Sequence, residues 1–207
     1  LLLGNYAAGQ QQSMLRFGEL MRDLLSQGGH EVRLVQPPVR FGTLRPAASG
    51  LGKWLGYIDR YLLFLPQLRR EAAWADVIHI CDQASAVYVP RLRGKPHLVT
   101  CHDLLAIRSA QGEIAENPTR WTGRAYQRWI LSGLRRAQRV VCVSEQTRRE
   151  LLAVARLSPD QTTVVPNALN YPYRPMPLDE RQARLRALDI DVATPFLLHV
   201  GGNQWYK

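Results

Sequence analysis

Three short β-branched runs in this chain each end in a polar cluster. Val99-Thr100-Cys101 leads into His102-Asp103, Val140 to Val143 into Ser144-Glu145, and Val164-Val165-Pro166 into Asn167. A bounded apolar run reads as a strand buried on both faces of a parallel sheet. The polar residues then fall at strand carboxyl ends, the edge where open α/β sheets bind ligands. His102 beside Asp103 suits contact with a substrate hydroxyl or phosphate, and it equally suits a histidine satisfying a loop backbone. Asn5, Asp103, Ser144 and Glu145 are further candidates for substrate contact. Two glycine-bearing loops suit phosphate: Gly9 after the first strand, and Gly201-Gly202-Asn203 running to Lys207, where bare amides plus a lysine form a cradle. A tight turn with a solvated lysine fits the second loop as well. Neither loop has GxGxxG or GxxxxGK[ST] spacing, so a dinucleotide fold or a nucleotide triphosphatase is not supported.

The elements that must hold these residues emerge from periodicity. Leu1 to Asn5, Glu31 to Gln36, Asp76 to Ile80, Pro96 to Cys101, Arg139 to Val143 and Thr162 to Val165 read as strands. Ser13 to Ser26 reads as a helix stopped by Gly28-Gly29. The expected fold is therefore α/β, a Rossmann-like parallel sheet with flanking helices. Residues 40–50 read as loop. Leu51, Trp54, Leu55, Ile58, Leu62, Leu65 and Leu68 give a helix over Leu51 to Arg70 that Pro66 should kink or shorten. Asn117 is expected to cap a helix beginning at Pro118, after a loop at 103–117. On that helix Arg120, Arg124, Arg128 and Arg135 share one arc, and Trp121, Ala125, Tyr126, Trp129, Ile130 and Leu134 fill the inner face. Ser144 should cap the next helix. Four prolines, Pro166, Pro172, Pro175 and Pro177, then mark a linker before a helix at Asp179 to Leu188 and a fresh buried strand at Pro195 to Val200.

Length and composition set bounds. The chain has 207 residues, 46% hydrophobic and 21% charged, which suits a globular core rather than disorder. Cys81, Cys101 and Cys142 lack metal-ligand spacing and read as reduced core thiols of a cytosolic protein. No metal site is expected. His30, His79, His97 and His199 sit within or beside strands and read as structural. No run is long enough to span a bilayer, and Leu1 to Tyr6 reads as a first strand lacking its initiator methionine rather than a leader. The net charge of +10 points to polyanionic partners: nucleic acid, an anionic lipid surface or phosphorylated substrates. The arginine arc admits nucleic acid, yet it lacks interleaved stacking aromatics, so a solvated face is preferred. Helix 51–70, with Trp54, Tyr57, Tyr61, Lys53, Arg60, Arg69 and Arg70, suits either the membrane interface or the sheet.

In order, LLLGNYAAGQQQSM, GHEVRLV, VIHICD, VTCHDLL, RVVCVSEQTRREL, VVPNAL and FLLHVGGNQWYK resemble the amino-terminal half of family-4 glycosyltransferases, which have the GT-B fold. The resemblance implies two Rossmann-like lobes around a cleft and transfer of a sugar from a nucleotide-sugar donor to a glycan or lipid-linked acceptor, with retention. It implies no cofactor and no metal, the nucleotide-sugar being a substrate. Carried over by position, His102 contacts the donor sugar, Gly9 admits the diphosphate, and Gly202 and Lys207 fall in the diphosphate loop. Gly202 stands where many members have arginine, Ala168 where some have glycine, and Asn170 where many have aspartate. The implied division is an acceptor-side domain over 1–170, a linker over 171–194 and the start of a donor-binding domain over 195–207. The family's paired-glutamate motif would lie beyond Lys207, so the chain as it stands is expected to be an incomplete enzyme. The expected role is envelope polysaccharide or glycolipid assembly, in the cytoplasm or peripheral at the inner membrane surface through 51–70. Two other readings remain: a non-catalytic basic module binding nucleic acid, which the lack of a recognition motif disfavours, and a regulatory half-enzyme.

Overall fold

A computed structural model describes residues 1–9, 11–44, 50–92, 94–169, 173–191 and 193–199. The chain divides into two compact units, Leu1–Ala168 and Leu169–Lys207. In the first unit, β1 (Leu2–Leu3) and β2 (Leu34–Val35) are joined by α1 (Gln12–Gln27). Four more strands complete the sheet: β3 (Ile78–Ile80), β4 (His97–Cys101), β5 (Arg139–Cys142) and β6 (Thr162–Val164). All six are parallel, in the order β2-β1-β3-β4-β5-β6. The alternation of strand and helix predicts this Rossmann-like sheet, and it is what forms. The chain steps outward from β1 to β2, then returns past β1 to β3. Right-handed crossovers therefore put α1 and the helices before β3 on opposite faces. Ile78, Ile80, Val99, Cys101, Val140 and Cys142, alternate positions on one face of the central strands, are each at most 1% exposed.

The helix expected at 51–70 forms, but with its faces exchanged. α2 (Gly50–Ile58) runs through a π-helical turn (Asp59–Leu63) into α3 (Phe64–Trp74). In α2 and the turn the buried positions are Gly52, Gly56 and Asp59, while Leu51, Trp54 and Leu62 are all more than 60% exposed. A π turn inserts one residue and rotates everything beyond it by about 100°. Phe64, Leu68 and Ala72 thereby become the inward face. Pro66 does not shorten the helix. It follows closely on the π turn, whose widened bonding carries the Phe64 amide back to the Asp59 carbonyl.

Two further helical segments form, one where no element is expected and one within an expected loop. Gln83–Arg91 is a 3-10 helix with Ala86 to Val89 buried, begun by the Asp82 side chain accepting from the Ala84 amide. Within the expected loop 103–117 lies α4 (Leu105–Gln111), ended by Gly112 at φ 87°. The next helix, α5 (Trp121–Leu134), begins later than expected and has no side-chain cap. Asn117 instead gives its carbonyl to the Ser109 hydroxyl. Trp121 is 79% exposed, not part of the inner face, which is made by Ile130, Leu131, Gly133 and Leu134. A Cβ on Gly133 would lie 2.1 Å from the Ala86 carbonyl oxygen, so α5 and the 3-10 helix touch backbone to backbone. α6 (Glu145–Ala155) is capped by Ser144 as expected.

The second unit holds α7 (Leu178–Ala187), where the spacing predicts a helix, with no buried residue. The strand expected at 195–200 does not form over 195–199, where Phe196, Leu197 and Leu198 are exposed. A strand needs a neighbouring ladder, and none is provided there. Val200, Gly202 and Lys207 lie outside the described residues.

Candidate active site

The strand order reverses at β1, between β2 and β3, and a sheet leaves a crevice outside its carboxyl edge at such a point. Asn5, just past β1, and Asp82, just past β3, meet there. The Asn5 Nδ2 donates to Asp82 Oδ2 at 2.5 Å and to Gln11 Oε1 at 2.8 Å, tying the first residue before α1 to both strand ends. Asn5 and Asp82 are 5% and 3% exposed. The amide cannot be turned round, because its oxygen would then face the Asp82 carboxylate. That oxygen, buried, has no hydrogen-bond partner among the described residues.

His102 stands one strand further along. Its backbone N–H donates to Gln83 Oε1 at 2.9 Å, and its ring Nε2 lies 2.9 Å from the Cys81 carbonyl oxygen. A carbonyl only accepts, so Nε2 carries a proton and Nδ1 of the neutral ring keeps a lone pair. The ring meets Phe17 of α1 edge-on, with centroids 4.8 Å apart. The His102 carbonyl takes a bond from Thr147 Oγ1 at 3.4 Å, which couples the β4 end to the start of α6. Ser144 is occupied as the cap of that helix, accepting from the Thr147 amide at 3.1 Å. Glu145 is exposed and 3.7 Å from Arg148. Asp103 is exposed and accepts from the Leu105 amide, opening α4.

Gly9 is exposed in a short 3-10 turn (Ala7–Gly9), and a Cβ there would meet nothing within 4 Å. The wall beside it is built on Asp59, which is fully buried in the π turn. Its carboxylate accepts from the Tyr6 hydroxyl at 2.6 Å and from the amides of Arg40, Phe41 and Gly42 at 2.9–3.1 Å. Burial pushes this carboxyl up, but the Tyr6 and amide bonds outweigh it and hold it below its ordinary range. Burial and the same carboxylate push the Tyr6 phenol up to about 12. Arg60 lies over the Tyr6 and Tyr57 rings, at 5.2 and 5.0 Å from their centroids. The loop after β2 is thus bolted to the loop after β1.

Histidine and thiol electrostatics separate structure from chemistry. His79, within 2.7 Å of the Thr100 hydroxyl, is held down to about 4 by burial and by the neighbouring His102, so it is neutral in the folded chain. Burial raises Cys81 to about 12 and Cys142 to about 11, and raises Cys101 as well. These thiols are unreactive core residues. Among the described residues no group of three or more His, Cys, Asp and Glu side chains is placed to hold a metal ion.

The fold therefore gathers Asn5, His102 and the Ser144 turn on one edge, linked by Asp82, Gln83 and Thr147. Gly9 lies on the same edge, after Asn5 and Tyr6. Gly202 and Lys207 are not among the described residues. Sequence reasoning did not assign Asp82, Gln83, Gln11, Phe17 or Asp59. For the first two a signal existed, since Ile78 to Cys81 is another short apolar run ending in polar residues.

Fold and edge together define a Rossmann-like domain with buried polar side chains meeting at its topological switch point. A family model described as Glycosyltransferase Family 4 matches residues 17–171, well over half of the chain. The chain belongs to that family, and with it to the glycosyltransferases. No curated protein matches it significantly.

Proposed function

We propose that this chain is the acceptor-side lobe, with the beginning of the donor-side lobe, of a retaining glycosyltransferase. It moves a sugar from a nucleotide-sugar to a glycan or lipid-linked acceptor in envelope polysaccharide or glycolipid assembly. The observation that carries the reading is the switch-point edge itself, where His102 binds the Cys81 carbonyl through Nε2 and its Nδ1 has no hydrogen-bond partner among the described residues, on the same sheet edge as the Gly9 loop. His102 accepts a hydrogen bond from a hydroxyl of the donor sugar near the reacting carbon. The Gly9 loop lets the diphosphate approach, and Gly202 and Lys207 complete its binding from the other lobe. Charge gathering on the leaving diphosphate is stabilised by such fixed donors. Asn5 and Glu145 supply further polar contacts, with Asp103 and Ser144 shaping the loops that hold them. On this reading 1–170 is the acceptor side, 171–194 the linker and 195–207 the start of the donor side.

The exposed face of α2, Leu51 and Trp54 with Lys53 beside them, supports a peripheral contact with the inner membrane surface. Among the described residues no helix is long and apolar enough to cross a membrane. The test is a transfer and hydrolysis assay of the full-length protein with a panel of nucleotide-sugars. Turnover with one of them, lost in His102→Ala, is expected. Absence of turnover with all of them, and a variant indistinguishable from the parent in donor binding, would overturn the proposal.

A further inference from the structure

α4 and α5 line a groove of about 640 Å³. Its floor is apolar, from Ile107, Ala110 and Leu131, and its polar lining is Arg124, Arg128 and Arg135 with two glutamines and no carboxylate. The imbalance is a property of the sequence here: Asn117 to Ser144 contains six arginines and no Asp or Glu. Elsewhere arginines find acids, as Arg108 does with Glu113 and Glu150, and Arg184 with Glu180.

No acidic side chain neutralises the groove arginines among the described residues. Arg135 donates to the Ala155 and Val154 carbonyls, and Arg124 donates its Nε to the Thr119 carbonyl, leaving both terminal nitrogens. Arg128 has no hydrogen-bond or ion-pair partner among the described residues. Arg124 and Arg128 are four residues apart on one helix, neighbours at about 6 Å, where like charges destabilise unless an anion lies between them. Trp121 falls within about 20° of Arg128 around the helix and is 79% exposed, so an amphipathic ring stands at the head of the stripe.

We infer that the α4–α5 groove binds a phosphate ester, its oxygens held by Arg124 and Arg128 and its carbon portion resting on Ile107, Ala110 and Leu131. Paired guanidinium groups match phosphate geometry, and an apolar floor suits an organic phosphate better than bare inorganic anion. The ester is either the headgroup of an anionic lipid or a soluble organic phosphate. Single-stranded nucleic acid fits less well, since only one exposed aromatic accompanies the stripe.

The experiment compares the full-length parent with Arg124→Gln/Arg128→Gln and with Arg136→Gln/Arg181→Gln, which removes the same charge off both the groove and helix 51–70. One arm measures sedimentation with phosphatidylglycerol–phosphatidylcholine vesicles against phosphatidylcholine alone. The other titrates glycerol 1-phosphate by calorimetry. Binding in either arm, weakened more than about tenfold by the groove variant and unchanged by the control, is expected. The arm that responds names the source. No binding in both arms, equal loss in both variants, or groove-dependent binding of an oligonucleotide alone would overturn the inference. Matching circular dichroism and thermal midpoints establish that both variants fold.

Discussion

At the scale of single residues, the buried polar groups decide most. Asp59 alone satisfies three backbone amides and a phenol, so Asp59→Ala should strand all four donors. Each unsatisfied buried donor costs about 1–3 kcal/mol, and a total loss of roughly 3–5 kcal/mol is expected in urea unfolding after local relaxation. Gly42 is required at that clamp, because a Cβ would stand 1.9 Å from the Tyr6 hydroxyl oxygen. His79 contributes a pH dependence of definite sign. Folding lowers it from 6.5 to about 4, so between these values the unfolded chain binds a proton that the folded chain refuses. This contribution is present above that window and lost as pH falls through it, by about 3 kcal/mol in all. His79→Gln should flatten the pH profile of unfolding free energy within the window. A parallel profile for the two proteins would show that His79 does not bear it.

Element by element, the departures from simple periodicity have local causes. The stripe Leu51, Trp54, Ile58, Leu62 is real, but it is not the face that packs, because Gly52 and Gly56 are the buried positions. Only the extra residue of the π turn returns large apolar side chains to the core at Phe64. Deleting one residue from Asp59–Leu63 should regularise the helix and yet destabilise the protein, since Phe64 and Leu68 would swing toward solvent. A thermal midpoint at or above the parent's would count against that account. α5 makes a similar point through Gly133. Its replacement by Ala overpacks a backbone contact and should cost about 1–3 kcal/mol, read from chemical denaturation. The cap at Ser144 was legible, whereas the Asp82 cap was not read and the start of α5 at Trp121 has no side-chain cap to read.

For the molecule as a whole, function depends on which strand ends become neighbours. With the reading of His102 as a donor-sugar contact, His102→Ala in the full-length enzyme should lower kcat roughly a hundredfold. Acceptor KM should change little, as the clamp around Asp59 is untouched. Parallel falls in kcat and thermal stability would mark His102 as structural instead. The six strands of the sheet, the α/β class and His102's place at a strand end were readable from short apolar runs and the polar residues that close them, whereas the run at 195–199 made no strand. Asp82 was harder to see, because its importance comes from facing Asn5 across two strands 77 residues apart in sequence.

Local pattern alone determined the alternation of elements, the parallel sheet and the cap at Ser144, since propensity and periodicity act over a few residues. Tertiary structure alone decided the strand order, the exchanged faces of α2, the Asn5–Asp82 contact and the arginine-lined groove. Those depend on which distant segments pack together, and a one-residue helical insertion or a missing Cβ is enough to change the answer.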